Sequence, residues 1–138
     1  METKLALLAE YANVTRDGKL NLMGVSNTIN ARTLPWLQPQ MQVILQFEVG
    51  SADWETEKDI SIELIDASGK QLSNMPGKVK VTRPKEAKSF NMNWIMSINN
   101  MKFDNQGDYE FVIRLDGHIE KELPLRVNYM PPPSTNKQ

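Results

Sequence analysis

The chain has 138 residues, 40% of them hydrophobic and 24% charged, with 16 basic side chains against 17 acidic ones and a net charge of −1. One domain of this size buries roughly two-thirds of its unfolded surface, so it folds without a covalent staple, and its composition excludes a disordered chain. Cysteine is absent and His118 is the sole histidine, which excludes disulfides, thiolate metal sites, cysteine catalysis and a His-rich metal centre.

Near the start, Leu5-Ala6-Leu7-Leu8-Ala9 is apolar for five residues and stops at Glu10, short of the roughly 7–15 residues of a secretory core. No stretch reaches the roughly 20 apolar residues of a membrane span. A cytoplasmic protein is expected, which leaves the sequon Asn13-Val14-Thr15 without meaning. Asp17-Gly18 marks a turn. Leu34-Pro35-Trp36-Leu37-Gln38-Pro39 reads as a crossover loop, because each proline removes a ladder donor.

From there the dominant period is two. Met41, Val43, Leu45, Phe47 and Val49 alternate with polar residues, broken only by Ile44. Ile60, Ile62 and Leu64 alternate likewise, then Phe90 to Ile98, Tyr109 to Leu115 and Ile119 to Tyr129. Each such run has one buried and one wet face, the pattern of antiparallel sheets. Strands are predicted at about 3–12, 19–31, 41–50, 58–66, 70–75, 78–83, 88–99, 108–116 and 119–129. Asp116-Gly117 joins the last two. Parity there calls for a three-residue loop or a bulge, with Leu115 opposite Ile119 and Phe111 opposite Leu123. Met130 to Gln138, with Pro131, Pro132 and Pro133 in succession, reads as an extended tail after a domain at 1–129.

Eight or nine short strands make an all-β fold, a single antiparallel β-sandwich. Gly107-Asp108-Tyr109-Glu110-Phe111 resembles the tyrosine corner of immunoglobulin-like domains, with Phe111 where antibodies carry cysteine and Trp94 as a core aromatic. An immunoglobulin-like or fibronectin-like sandwich is therefore expected, with a C2-like eight-stranded sandwich as the alternative. The run Leu8-Ala9-Glu10-Tyr11-Ala12-Asn13-Val14, followed by Asp17 to Val25 and by Gly107 to Phe111, resembles a family of small bacterial proteins of unknown function. The likeness spans about 7–127. It implies a bacterial cytosolic β-protein and supplies no activity or functional residues.

Candidate chemistry is sparse. His118 beside Asp116 suggests an oriented base, but a hairpin tip offers no pocket, and an exposed turn histidine is the plainer expectation. Calcium takes about six to eight oxygen ligands. Asp53 and Glu55 in one loop with Asp104 and Asp108 in another would suit it if the loops share an end of the sandwich; solvated charged loops are the alternative. Lys78, Lys80, Arg83, Lys85 and Lys88 form a basic stripe, fit for phosphates or an acidic partner, or for keeping an edge strand from aggregating. Trp36 and Trp54 fall in loops and are either binding hot spots or caps on the core. There is no P-loop, no G-x-G-x-x-G after a strand, no G-x-S-x-G and no H-E-x-x-H.

These features point to a non-catalytic protein-interaction or assembly module. It would bind another protein or itself through Trp36, Trp54, Pro131, Pro132 and Pro133, or through an open sheet edge. A small-ligand or calcium-binding domain is the second reading, and a minimal hydrolase working with two carboxylates the third. No cofactor, nucleic acid or membrane is expected.

Overall fold

Period-two alternation needs a second apolar face to bury against, and the chain supplies it by folding into two facing sheets. The computed structural model describes residues 1–85 and 90–133. These residues form β1 (Glu2–Val14), β2 (Leu20–Val25), β3 (Thr28–Ala31), β4 (Trp36–Val49), β5 (Thr56–Ile65), β6 (Gln71–Val81), β7 (Phe90–Phe103), β8 (Gly107–Leu115) and β9 (His118–Tyr129). One sheet has the order β2-β1-β4-β7 and the other β3-β9-β8-β5-β6. Between them lies a core built on Val43, Leu45 and Phe47 from β4, Ile60, Ile62 and Leu64 from β5, and Phe103, Phe111 and Ile113. Each fully buried side chain of this kind stabilises the fold by about 1.5–3 kcal/mol. Phe103 meets Tyr109 edge-on, ring centroids 5.0 Å apart, and the Tyr109 hydroxyl donates to the Asn105 carbonyl four residues upstream.

The fold is all-β and sandwich-like, but not antiparallel throughout. β3 runs parallel to β9, with Thr28 beside Arg126 and Ala31 beside Tyr129. After β2 the chain crosses between sheets, so the expected strand at 19–31 is two strands. The direction of β3 is set by where β4 must begin. The expected loop at Leu34 to Pro39 is corrected too, because Trp36 to Gln40 pair with β7 as the first part of β4. Proline is tolerated there because β1 pairs with β4 only from Glu48 to Gln42, leaving this stretch one neighbour. The register skips Pro39, opposite Asn100 at φ +57°.

The strands expected at 70–75 and 78–83 form one strand, β6, running through Pro76 and Gly77. β6 is an edge, so Pro76 leaves no ladder on its open side to break. Gly77 is closely packed: a Cβ there would lie 3.2 Å from both Ile60 Cγ2 and Trp94 Cζ2, so these neighbours would have to give by a few tenths of an ångström. The expected start of the next strand, at 88, lies outside the described residues.

The last hairpin corrects one register. Asp116 and Gly117 both have positive φ, +49° and +83°, and Leu115 stands opposite His118, as in a two-residue type I′ turn. Parity is restored by a bulge: Arg114 pairs with Ile119 and Ile113 with Lys121, which brings Phe111 opposite Leu123 as expected.

A smaller core sits on the outer face of the first sheet. The β1–β2 hairpin bends where the register skips Glu10 and Gly24. Gly24 has φ +67°, and a Cβ there would come within 2.7 Å of Glu10 Cδ. The bent hairpin covers Ile44, with Ala9 and Ala12 buried and Leu7, Leu20, Leu22 and Ile95 packed around them. Gln42, 5% exposed, ties the hairpin down. Its Oε1 accepts from the Ala12 amide at 2.6 Å and its Nε2 donates to Ser97 Oγ at 2.8 Å. Truncation would strand the Ala12 N–H and open a cavity. Gln42→Ala is therefore expected to cost about 2–3 kcal/mol, read as a lower urea midpoint. A change below about 0.5 kcal/mol would show that the hairpin docks without this bridge.

Candidate functional site

The sandwich has two ends, and the residues singled out above divide between them. β5 and β8 run antiparallel, Ile60 beside Leu115 and Ile65 beside Glu110. The loop before β5 and the loop before β8 therefore lie at opposite ends. Asp53 and Glu55 sit at one, Asp104 and Asp108 at the other, so the four carboxylates do not surround one cation. Among the described residues no group of three His, Cys, Asp or Glu side chains is placed to hold a metal ion.

Each of these carboxylates is instead engaged locally. Asp53 lies 3.0 Å from the amino group of Met1 and accepts from the Gly50 amide at 3.2 Å. Burial pushes its carboxyl up, but the amino group and the amide outweigh that and hold it below its ordinary value. Glu55, at φ +58°, accepts from the Arg83 amide at 3.0 Å and donates its own amide to Val81. Asp104 faces Lys102 and Asp108 faces Arg126, at 3.5 and 3.2 Å.

Trp54 packs half-buried against the core beside the short 3-10 turn Ser51–Asp53. The Arg83 guanidinium lies 5.4 Å from its ring centroid. Its indole nitrogen is buried without a hydrogen-bond partner. Trp36, at the opposite end, is also half-buried against the core and donates to Gln38 Oε1 at 2.9 Å. Both geometries match capping of the core. Pro131, Pro132 and Pro133 are exposed and leave the end that holds Trp36, where the Met130 amide donates to the Ala31 carbonyl. The rest of the expected tail, 134–138, lies outside the described residues.

The basic stripe follows the edge-strand pattern. Lys78 and Lys80 are exposed on β6 while Val79 and Val81 are buried, and Lys78 reaches Asp59 and Glu57. Lys88 lies outside the described residues. His118 is exposed, and Asp116 does not orient it: its carboxylate accepts from the Asp59 amide and its amide donates to the Asp59 carbonyl.

One carboxylate pair escaped the sequence reading. Glu110 and Glu122 are diagonal neighbours on the outer face of the second sheet, because Glu110 stands opposite Pro124 and Val112 opposite Glu122. The clue lay in the pairing of Phe111 with Leu123, which fixes their outward neighbours. Burial, then the hydrogen bond that the protonated Glu110 donates to Glu122 and the charge of Glu122, raise the Glu110 carboxyl above its ordinary value. The pair lies on an open sheet face, and Glu63 nearby is already held by Arg114 at 3.0 Å.

A family model described as "Family of unknown function (DUF6941)" matches residues 4–128. The chain belongs to this family. The match takes in part or all of every one of the nine strands, so the geometry above is that of a DUF6941 domain. No curated protein matches the sequence.

Two outcomes are expected for this DUF6941 domain. Trp54→Ala is expected to cost about 2–3 kcal/mol by thermal or urea melting. Trp54→Phe should cost clearly less, because it also removes the unpartnered indole N–H. Equal losses would mean that a phenyl ring restores none of the packing and that the site needs the whole indole. The folded state holds the Glu110 proton more tightly than the unfolded chain does. That contribution is complete below the ordinary carboxylate range and is lost as pH rises through the raised folded value. Glu110→Gln is therefore expected to raise Tm at pH 7 by ~1–3 °C and to leave it unchanged in acid. A lower Tm at pH 7 would contradict the assignment.

Proposed function

We propose that this DUF6941 domain is a non-catalytic, cytoplasmic protein-interaction or assembly module built on an immunoglobulin-like sandwich. Support for the immunoglobulin-like reading comes from strand order. β1, β4 and β7 neighbour one another in one sheet and β9, β8 and β5 in the other, the arrangement of A, B and E against G, F and C. The bond from Tyr109 to Asn105 has the form of a tyrosine corner.

The observation that carries the functional reading is the open edge of β7. This strand runs for 14 residues, pairs with β4 on one side and has no strand on the other among the described residues. An immunoglobulin sheet places a further strand at that position. A long unpaired edge is a template for strand addition by a partner. Tyr11, Met23 and Val25 on the β1–β2 hairpin add exposed apolar surface.

The reading is tested by capture from a native lysate with the tagged full chain, beside Asn91→Lys/Asn99→Lys, which charges the β7 edge at two exposed positions. A stoichiometric partner, either another protein or untagged copies of the chain, is expected with the wild type and should be lost from the variant. A chain ending at Tyr129 measures what Pro131 to Pro133 contribute. If the wild type retains neither a foreign protein nor its own copies, the interaction reading fails.

A further inference from the structure

We infer that β7 pairs antiparallel with β7 of a second copy of this chain, about a two-fold axis through Ile95; this deepens the interaction-module reading and rests on it. Among the described residues the strands that stand last in the two sheets are β2, β7, β3 and β6, and three of these four are blunted. β6 carries Pro76, Lys78 and Lys80, β3 is four residues long, and β2 is six residues long and bent at Gly24. Such features are the usual means of stopping sheets from joining. Between Phe90 and Asn99 β7 has none of them. From Phe90 to Met101 it contains no charged residue and no proline, and from Phe90 to Asn99 it pairs with Gln40–Val49 without a skipped residue. The tip of the β1–β2 hairpin touches it only from the outer face, where Asn93 Nδ2 donates to the Gly18 carbonyl at 3.3 Å.

The sequence of β7 selects the second copy as occupant, because it is close to a chemical palindrome. Directly opposed residues in an antiparallel pair share a face, so a two-fold axis must pass through a residue position. With the axis at Ile95, Asn91 opposes Asn99 and Asn93 opposes Ser97 on the outer face, while Met92 opposes Ile98 and Trp94 opposes Met96 on the core face. Polar thus meets polar and apolar meets apolar at each of these positions. Moving the axis to Trp94 sets Asn93 against Ile95, and moving it to Met96 sets Ile95 against Ser97. The absence of charge removes the like-charge opposition that a homodimer otherwise builds at its own edge. Amide side chains already pair across strands within this fold, Asn21 with Asn13 and Gln46 with Asn93, both at 3.0 Å. The resulting sheet has the order β2-β1-β4-β7-β7-β4-β1-β2.

Sedimentation of the untagged full chain tests this. The wild type is expected at twice the 15.8 kDa chain mass at micromolar concentration. Asn91→Lys/Asn99→Lys, which sets lysines against lysines, is expected at the single mass. Asn91→Lys/Asn99→Glu, which sets opposite charges across the same two contacts, should recover the dimer. Because a variant can fail through folding, amide exchange on the wild type supplies an independent reading: protection at alternate residues between 91 and 99 should rise with protein concentration. A wild type of single mass, a dimer that survives the lysine pair, or protection independent of concentration each overturns the inference. A single-mass wild type that still captures a different protein overturns the self-pairing alone and leaves the interaction reading standing.

Discussion

Five consecutive residues of β4, Met41 to Leu45, are buried, and that burial on both faces of one strand organises the molecule. Met41, Val43 and Leu45 face the second sheet, and Gln42 and Ile44 face the bent hairpin. Along its edges the same strand is bonded to β1 and β7. This stretch of β4 has no wet surface against which to slip, because a shift of one residue would put Gln42 and Gln46 into the main core. The other elements are placed by what each must do for β4: cover a face, complete a ladder, or carry the chain around it.

Much of this was legible in the sequence because period two reports directly on which face of a strand is dry. The inner faces of β4, β5 and β8 follow from alternation alone. The break at Ile44 was the trace of the second core, but a single apolar residue on a wet face does not say what covers it. The hairpin that does so is bent at Gly24, and no local pattern distinguishes that bend from an ordinary glycine in a strand. Pro39 misled for the opposite reason. Proline forbids a central ladder, yet whether a stretch of strand has one neighbour or two is a tertiary fact. The parity conflict at Asp116-Gly117 was real, but chain geometry resolved it by bulging the strand two residues past the turn and not by lengthening the turn.

The candidate sites were less legible, since they required knowing which loops share an end. Asp53 and Glu55 were read with Asp104 and Asp108 as one acidic group, although a single antiparallel pairing, β5 with β8, separates them by the length of a strand. Carboxylates that look like ligands in a sequence are here small structural clasps: one holds an amino group, one the end of β6, one the tip of a hairpin. What the surface shows beyond these clasps is backbone groups on a sheet edge and exposed apolar side chains.

The parallel pairing of β3 with β9 has a consequence for how the molecule comes into being. Thr28 is bonded beside Arg126, so a segment made in the first quarter of synthesis finds its neighbour only when the ninth strand has emerged. β9 also completes the ladder of β8. Until then the nascent chain carries two unsatisfied edges in the second sheet, and the core between the sheets stays open to water on that side. Contacts this distant along the chain slow folding and prolong the exposure of sticky intermediates. For this protein, ribosomal synthesis is therefore the stage at which a chaperone has most to shield.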